Sequence, residues 1–223
     1  MDKTKTAVVL IDMQKESSFG IADVDQVIEK AAHYLPYFRE QGIPIIYTRQ
    51  INRADGTGLS NEEPLNEKGE PIYYHDGTDQ IEIFDEIAPQ KGEPVIDKYR
   101  WSSFHETSLD LMLRSLNVTD VVMAGFVTDG CLMTSVFDAY FRNYKVHLLK
   151  DLIATTNEGA HMSAMLIMAN WVYDMEVYDT EELVKKMNGE TYRSWKGAGA
   201  DTLQFTPETM REQYNQLKGV EKT

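Results

Sequence analysis

Short, unbroken apolar runs alternate with helix-patterned segments along the first 178 residues of this 223-residue chain. Residues 7–11 (AVVLI) are β-branched and apolar throughout, as in a strand buried on both faces. Residues 43–47, 94–96, 120–126, 145–149 and 172–177 repeat the pattern. Between them, Val24, Val27, Ile28, Ala31, Leu35 and Phe38 fall at helical spacing over residues 24–40, with Pro36 inside. Residues 108–116, 131–141 and 159–168 read as further helices. Six strands joined by helical crossovers predict an α/β fold. The expected form is a three-layer αβα sandwich on a six-stranded, mostly parallel sheet of order 3-2-1-4-5-6.

Two stretches break the alternation. Residues 52–78 carry Gly56, Gly58, Gly69 and Gly77 with no periodicity, and read as a lid that includes Tyr73 and Tyr74. A short helix is expected over residues 79–87. From residue 179 the chain turns polar, with one helix expected over 207–217 behind a Thr206 cap. The chain thus divides into a domain of residues 1–178 and an extension of residues 179–223 that packs on the body or on a neighbouring subunit.

Lys plus Arg number 22 against 36 Asp plus Glu, a net charge of −14. Such a surface repels phosphate, so neither nucleic acid nor a membrane is expected as partner. The single cysteine, Cys131, excludes an intramolecular disulfide and a four-cysteine zinc site. No run reaches the roughly 18 apolar residues of a membrane helix, and the first run is too short for a signal-peptide core. A reducing, cytoplasmic location is expected.

In an open parallel sheet, ligands bind beyond the C-terminal strand ends. Asp12 closes the first strand, Lys98 follows PVI, and DVVMAGF runs through Val127, Thr128, Asp129 and Gly130 into Cys131 at a helix start. Singly, Asp12 can cap a turn, Lys98 can lie on the surface, and Cys131 can be a small buried apolar group. Together they read as nucleophilic hydrolysis. The helix start and Lys98 favour the thiolate and lower the thiol pKa, and Asp12 accepts the proton. Arg49, Arg53, Tyr99, Trp101, Phe126 and Trp171 are candidate substrate-binding residues, an arginine being placed to receive a substrate carboxylate.

The histidines His33, His75, His105, His147 and His161 show no metal-ligand spacing, so neither metal nor cofactor is expected. His75 and His105 are the two within reach of a substrate. GxGxxG, GxxxxGK[ST] and GxSxG are all absent, which argues against dinucleotide, P-loop and serine-elbow chemistry.

The segments AVVLIDMQ, VIDKYRWSSFHETSLDLMLRSLNVTDVVMAGFVTDGC and SVFDAYFRNYKVHLLKDL, in this order, resemble the isochorismatase-like cysteine hydrolase superfamily over residues 6–178. The resemblance implies catalytic roles for Asp12, for Lys98 with Ser103 and Phe104 behind it, and for Cys131 after Gly125, Thr128 and Asp129. It also implies a non-proline cis peptide just before Thr128, at Phe126–Val127 or nearby, and an oxyanion hole from the N–H groups of Val127 and Cys131. The implied activity is that of a cysteine amidohydrolase. It would cleave a C–N amide or ureido bond of a small molecule through a thioester. Vinyl ether hydrolysis and non-catalytic small-molecule binding on the same fold are the alternatives. The stretch TRQINRADGTGLSNEEPLNEKG holds no histidine, which departs from the metal-binding nicotinamidases. The cysteine departs from isochorismatase proper. The resemblance further implies a homodimer or homotetramer.

Overall fold

The computed structural model describes residues 1–18 and 20–223. Strand β1 (Thr6–Ile11) is buried at every position. It lies at the centre of the sheet, paired in parallel with β2 (Ile45–Gln50) on one side and β4 (Asp120–Phe126) on the other. Beyond β2 lies β3 (Val95–Lys98), and beyond β4 lie β5 (Lys145–Ala154) and β6 (Glu176–Tyr178), all parallel. The expected order is therefore present.

Among the described residues the sheet is nevertheless eight-stranded, not six-stranded. Antiparallel β7 (Tyr192–Lys196) and β8 (Val220–Lys222) extend it past β6. Both belong to the polar extension, and YRSWK and VEK contain no apolar run that marks a strand.

Helices α1 (Val24–Glu40) and α5 (Thr180–Met187) cover one face, packing on β5, β6 and β7 and joined by Tyr37 and Asn188. Helices α2 (Leu109–Ser115), α3 (Met133–Phe141) and α4 (Glu158–Trp171) cover the other, with α6 (Met210–Gln216) outside α4. The buried stripe of α1 is the one its spacing predicts, and Pro36 sits on its exposed side. Among the described residues, no helix is long and apolar enough to cross a membrane.

Local departures have local causes. Residues 79–87 form two short 3-10 turns, because Ile83 between them is drawn into an antiparallel bridge with Gln14. Helix α4 runs on to Trp171 and a turn with Asp174 at φ +62° follows, which shortens the last parallel strand. Helix α6 starts late because the Thr206 hydroxyl first engages Glu208 and Thr209.

The extension is pinned at Glu176. This buried carboxylate accepts from Lys186 at 2.7 Å, from Lys222 at 2.9 Å and from the Ser194 hydroxyl. Burial alone would raise its pKa, but the bonds from Lys186 and Ser194 outweigh that and hold it well below its usual 4.5. A depressed carboxylate stabilises the fold above its unfolded pKa, and that stability is lost as pH falls. Glu176→Gln should therefore cost about 2–3 kcal/mol at pH 7. The variant should also lose less stability than wild type between pH 5 and pH 3. Urea unfolding at both pH values checks this, and equal acid sensitivity would contradict it.

Candidate active site

The candidate site is built from three strand ends. Asp12 leaves β1 in the left-handed region at φ +51°, a conformation that costs an L residue on the order of 1 kcal/mol. The turn buries its carboxylate beside β2, where the Thr48 hydroxyl donates to Oδ1 at 2.7 Å. Lys98 ends β3, two strands or roughly 10 Å from β1. Its long stem crosses β2, and Nζ reaches Asp12 Oδ2 at 2.6 Å. The ammonium also donates to Cys131 Sγ at 3.3 Å, Gln50 Oε1 at 3.0 Å and the Arg100 carbonyl at 3.1 Å. Gln50 is held in turn by Gln14, which bonds both its N–H and its carbonyl.

Cys131 arrives from β4. Gly125 has φ +122°, and a Cβ there would meet the Ile11 carbonyl oxygen at 2.0 Å, so only glycine allows β4 to approach β1 so closely. The Phe126–Val127 peptide is cis, where the resemblance placed it. Residues Thr128–Leu132 then form a π turn whose fold is tied to the Val127 carbonyl by the N–H groups of Gly130 and Leu132. Ser135 donates to the Cys131 carbonyl at 2.6 Å and accepts from the Ser103 N–H at 2.8 Å.

The electrostatics correct one expectation. The thiol pKa is raised above 9.0, not lowered, first by burial and then by the Asp12 charge, with Lys98 opposing. A helix start cannot offset near-complete desolvation. Burial also works against the Lys98 charge, but Asp12 and Cys131 outweigh it and raise the ammonium above 10.5. Burial and the Asp12 charge thus favour the neutral thiol, with the Lys98 ammonium beside it. Lys98→Met should leave Asp12 buried without its counter-ion, costing about 3–5 kcal/mol, and turnover should fall at least about tenfold. Adding Asp12→Asn should recover part of the stability. A double variant no more stable than Lys98→Met would contradict this pairing.

The trio is closed over: Asp12, Lys98 and Cys131 are 3%, 1% and 6% exposed. Tyr74 of the lid comes near enough to feel the Asp12 charge. The Tyr74 backbone is held by Glu16 at 3.2 Å and by the Asn52 N–H at 2.7 Å, at φ +53°. Burial raises its phenol pKa, and the charge of Asp12 adds to that. Composition placed Tyr74 in the lid, but no motif pointed it at the trio. At the lid seam, Arg53 pairs with Asp55 beside Tyr99, and a Cβ added at Gly58 would lie 3.7 Å from the Tyr99 ring. Trp101 is exposed, and Phe126 is buried in the core.

Two candidate binding residues are not brought to the site. Arg49 alternates with Thr48 and Gln50 along β2, so it faces the other way and pairs with Asp97 at 2.7 Å and Glu82 at 2.8 Å. Trp171 ends α4, whose first turn is the part near the Cys131 turn. A 14-residue helix separates the two by about 21 Å. His105 is exposed beside Glu106, and His75 accepts from the Gly77 N–H within the lid.

The isochorismatase domain matches residues 6–181. This chain belongs to the isochorismatase family. Among its relatives, the ureidoacrylate amidohydrolase RutB of Rhizobium rhizogenes is 28% identical over 200 residues, which cover 78% of each chain. The crystal structure of a cysteine hydrolase from Pseudomonas syringae shares the fold, with a TM-score of 0.77, 23% identity, and coverage of 85% of this chain and 95% of that one. N-carbamoylsarcosine amidase from Thermoplasma acidophilum aligns with a TM-score of 0.66 and 25% identity over 80% of this chain and 98% of its own. The isochorismatase-family segment stops at residue 181, so β7, α6 and β8 lie outside it.

Proposed function

We propose that this isochorismatase-family hydrolase cleaves a C–N bond of a small amide or ureide, with Cys131 as nucleophile. The observation that carries the reading is the buried contact of Asp12, Lys98 and Cys131. The thiol proton passes to Asp12 as sulfur attacks the carbonyl carbon. The N–H groups of Val127 and Cys131 are the candidates to hold the oxyanion, and Lys98 stabilises the developing negative charge. Asp12 then returns the proton to the departing nitrogen as the C–N bond breaks. Water attacks the remaining thioester, or S-carbamoyl group for a ureide. Asp12 takes a proton from that water, sulfur leaves, and the thiol is restored.

Two relatives are named for ureido substrates, ureidoacrylate and N-carbamoylsarcosine, which supports a ureide here. Both also carry a carboxylate. Arg53, paired with Asp55 beside Tyr99, is the candidate cation for such a group. The test is ammonia release from a panel of N-carbamoyl amino acids, ureidoacrylate and simple amides, with intact-mass analysis of acid-quenched enzyme. The reading expects ammonia together with an acyl or carbamoyl mass on the Cys131 peptide. A panel that yields neither would sink it.

A further inference from the structure

The C-terminal extension does more than fill the sheet edge. It runs antiparallel along the whole of α4. Leu203 exchanges two hydrogen bonds with Asn170, at 2.8 and 3.0 Å. Met210 meets Ser163, Tyr214 meets His161, and Arg211 pairs with Glu158 at the helix start. Leu203 and Leu217 are buried against the core. Of these α4 residues, His161 is the one also joined to the turn that carries Cys131. Its Nδ1 lies 2.9 Å from the Thr128 hydroxyl, and its Nε2 lies 3.0 Å from the Tyr214 hydroxyl. The imidazole and phenol rings meet edge-on at 5.5 Å. Thr128 is fully buried, opens the π turn, and stands three residues before Cys131.

We propose that His161 is a positioning residue for the Cys131 turn, and that Tyr214 of the extension fixes its tautomer. The inference rests on Cys131 being the nucleophile. Burial lowers the pKa of His161, so the ring is neutral and has one donor and one acceptor nitrogen. Burial also keeps Tyr214 protonated. Of the two flanking hydroxyls the phenol is the more acidic and the better donor. Tyr214 therefore donates to Nε2, which leaves Nδ1–H to donate to Thr128. The turn, already bound through its backbone to Val127, is thereby fixed through its first side chain as well. A segment outside the family domain sets the orientation of a ring inside it, and that ring sets the turn.

Cys131 is the chain's single cysteine, so its alkylation by iodoacetamide reads its presentation without any substrate. His161→Ala should slow that alkylation, and kcat, about tenfold, with KM within about twofold. His161→Asn keeps a polar group near the Nδ1 position and should restore both rates to within about threefold of wild type. Tyr214→Phe frees the ring to take its other tautomer and should cost about threefold. Arg211→Ala loosens the same strap without touching the ring and should leave both rates unchanged. Wild-type alkylation in His161→Ala would overturn the proposal. So would losses that simply follow melting temperature across the four variants. Should no amide or ureide be turned over by wild type, the functional reading fails, while the alkylation series still decides this one.

Discussion

Alanine at position 131 should remove at least about 10⁴-fold of the turnover of any amide or ureide substrate while leaving the fold intact. The loss is large because no other group in the site can form the covalent intermediate. Asp12 accepts protons, and Lys98 is a raised, fully charged ammonium with no lone pair to attack. The fold survives because no charge is orphaned. Lys98 keeps Asp12, Gln50 and the Arg100 carbonyl when the sulfur goes. The melting temperature should stay within a few degrees of wild type, since only one small group leaves the core. Cys131→Ser should fare little better, because an alcohol is far harder to ionise in the same buried position. Retention of a tenth of wild-type turnover in either variant would mean that water attacks directly with Asp12 as base.

Asp12→Asn should separate ionisation from catalysis. The Asp12 charge is one of the causes that raise the thiol pKa, so its removal should lower that pKa. The pH profile of Cys131 alkylation should shift to lower pH, and alkylation at pH 8 should become faster. Turnover should nevertheless fall by about 10²–10⁴, because the proton no longer has an acceptor, nor the leaving nitrogen a donor. Lys98→Met should move the profile the opposite way, since the ammonium lowers the thiol pKa. The three profiles belong to one coupled set of charges, not to the cysteine alone. Alkylation midpoints that coincide in wild type and both variants would show that the groups do not share a site, and the proposed proton path would be lost with them.

The parts of this site written into the sequence are those governed by strand ends. Asp12, Lys98 and Cys131 each follow an apolar run, and the parallel-sheet rule places all three at one edge. The residues that hold them are less legible. Thr48, Gln14 and Gln50 are polar residues inside or beside strands, and only the folded register shows that they face Asp12 and Lys98. Tyr74 sits in a segment without periodicity, so nothing in the spacing says where its ring goes. Arg49 was in principle readable, since strand parity sets it opposite Thr48. The direction of the thiol pKa was not, because a local helix start is visible in sequence and the depth of burial is not. Strands β7 and β8 carry no apolar run; Ser194 and Lys222 tie them instead to the buried Glu176.

The two ends of the sheet have a consequence for how this molecule meets others. Its borders are β3, of four residues, and β8, of three. Asp97 lies on one border, and Glu221 and Lys222 lie on the other. A border that short, with a charged residue on it, offers an incoming strand few free backbone groups and a desolvation penalty for taking them. Strand-by-strand growth into fibrils is thus discouraged at both margins. The short borders thus keep the central sheet from serving as a template for a further strand.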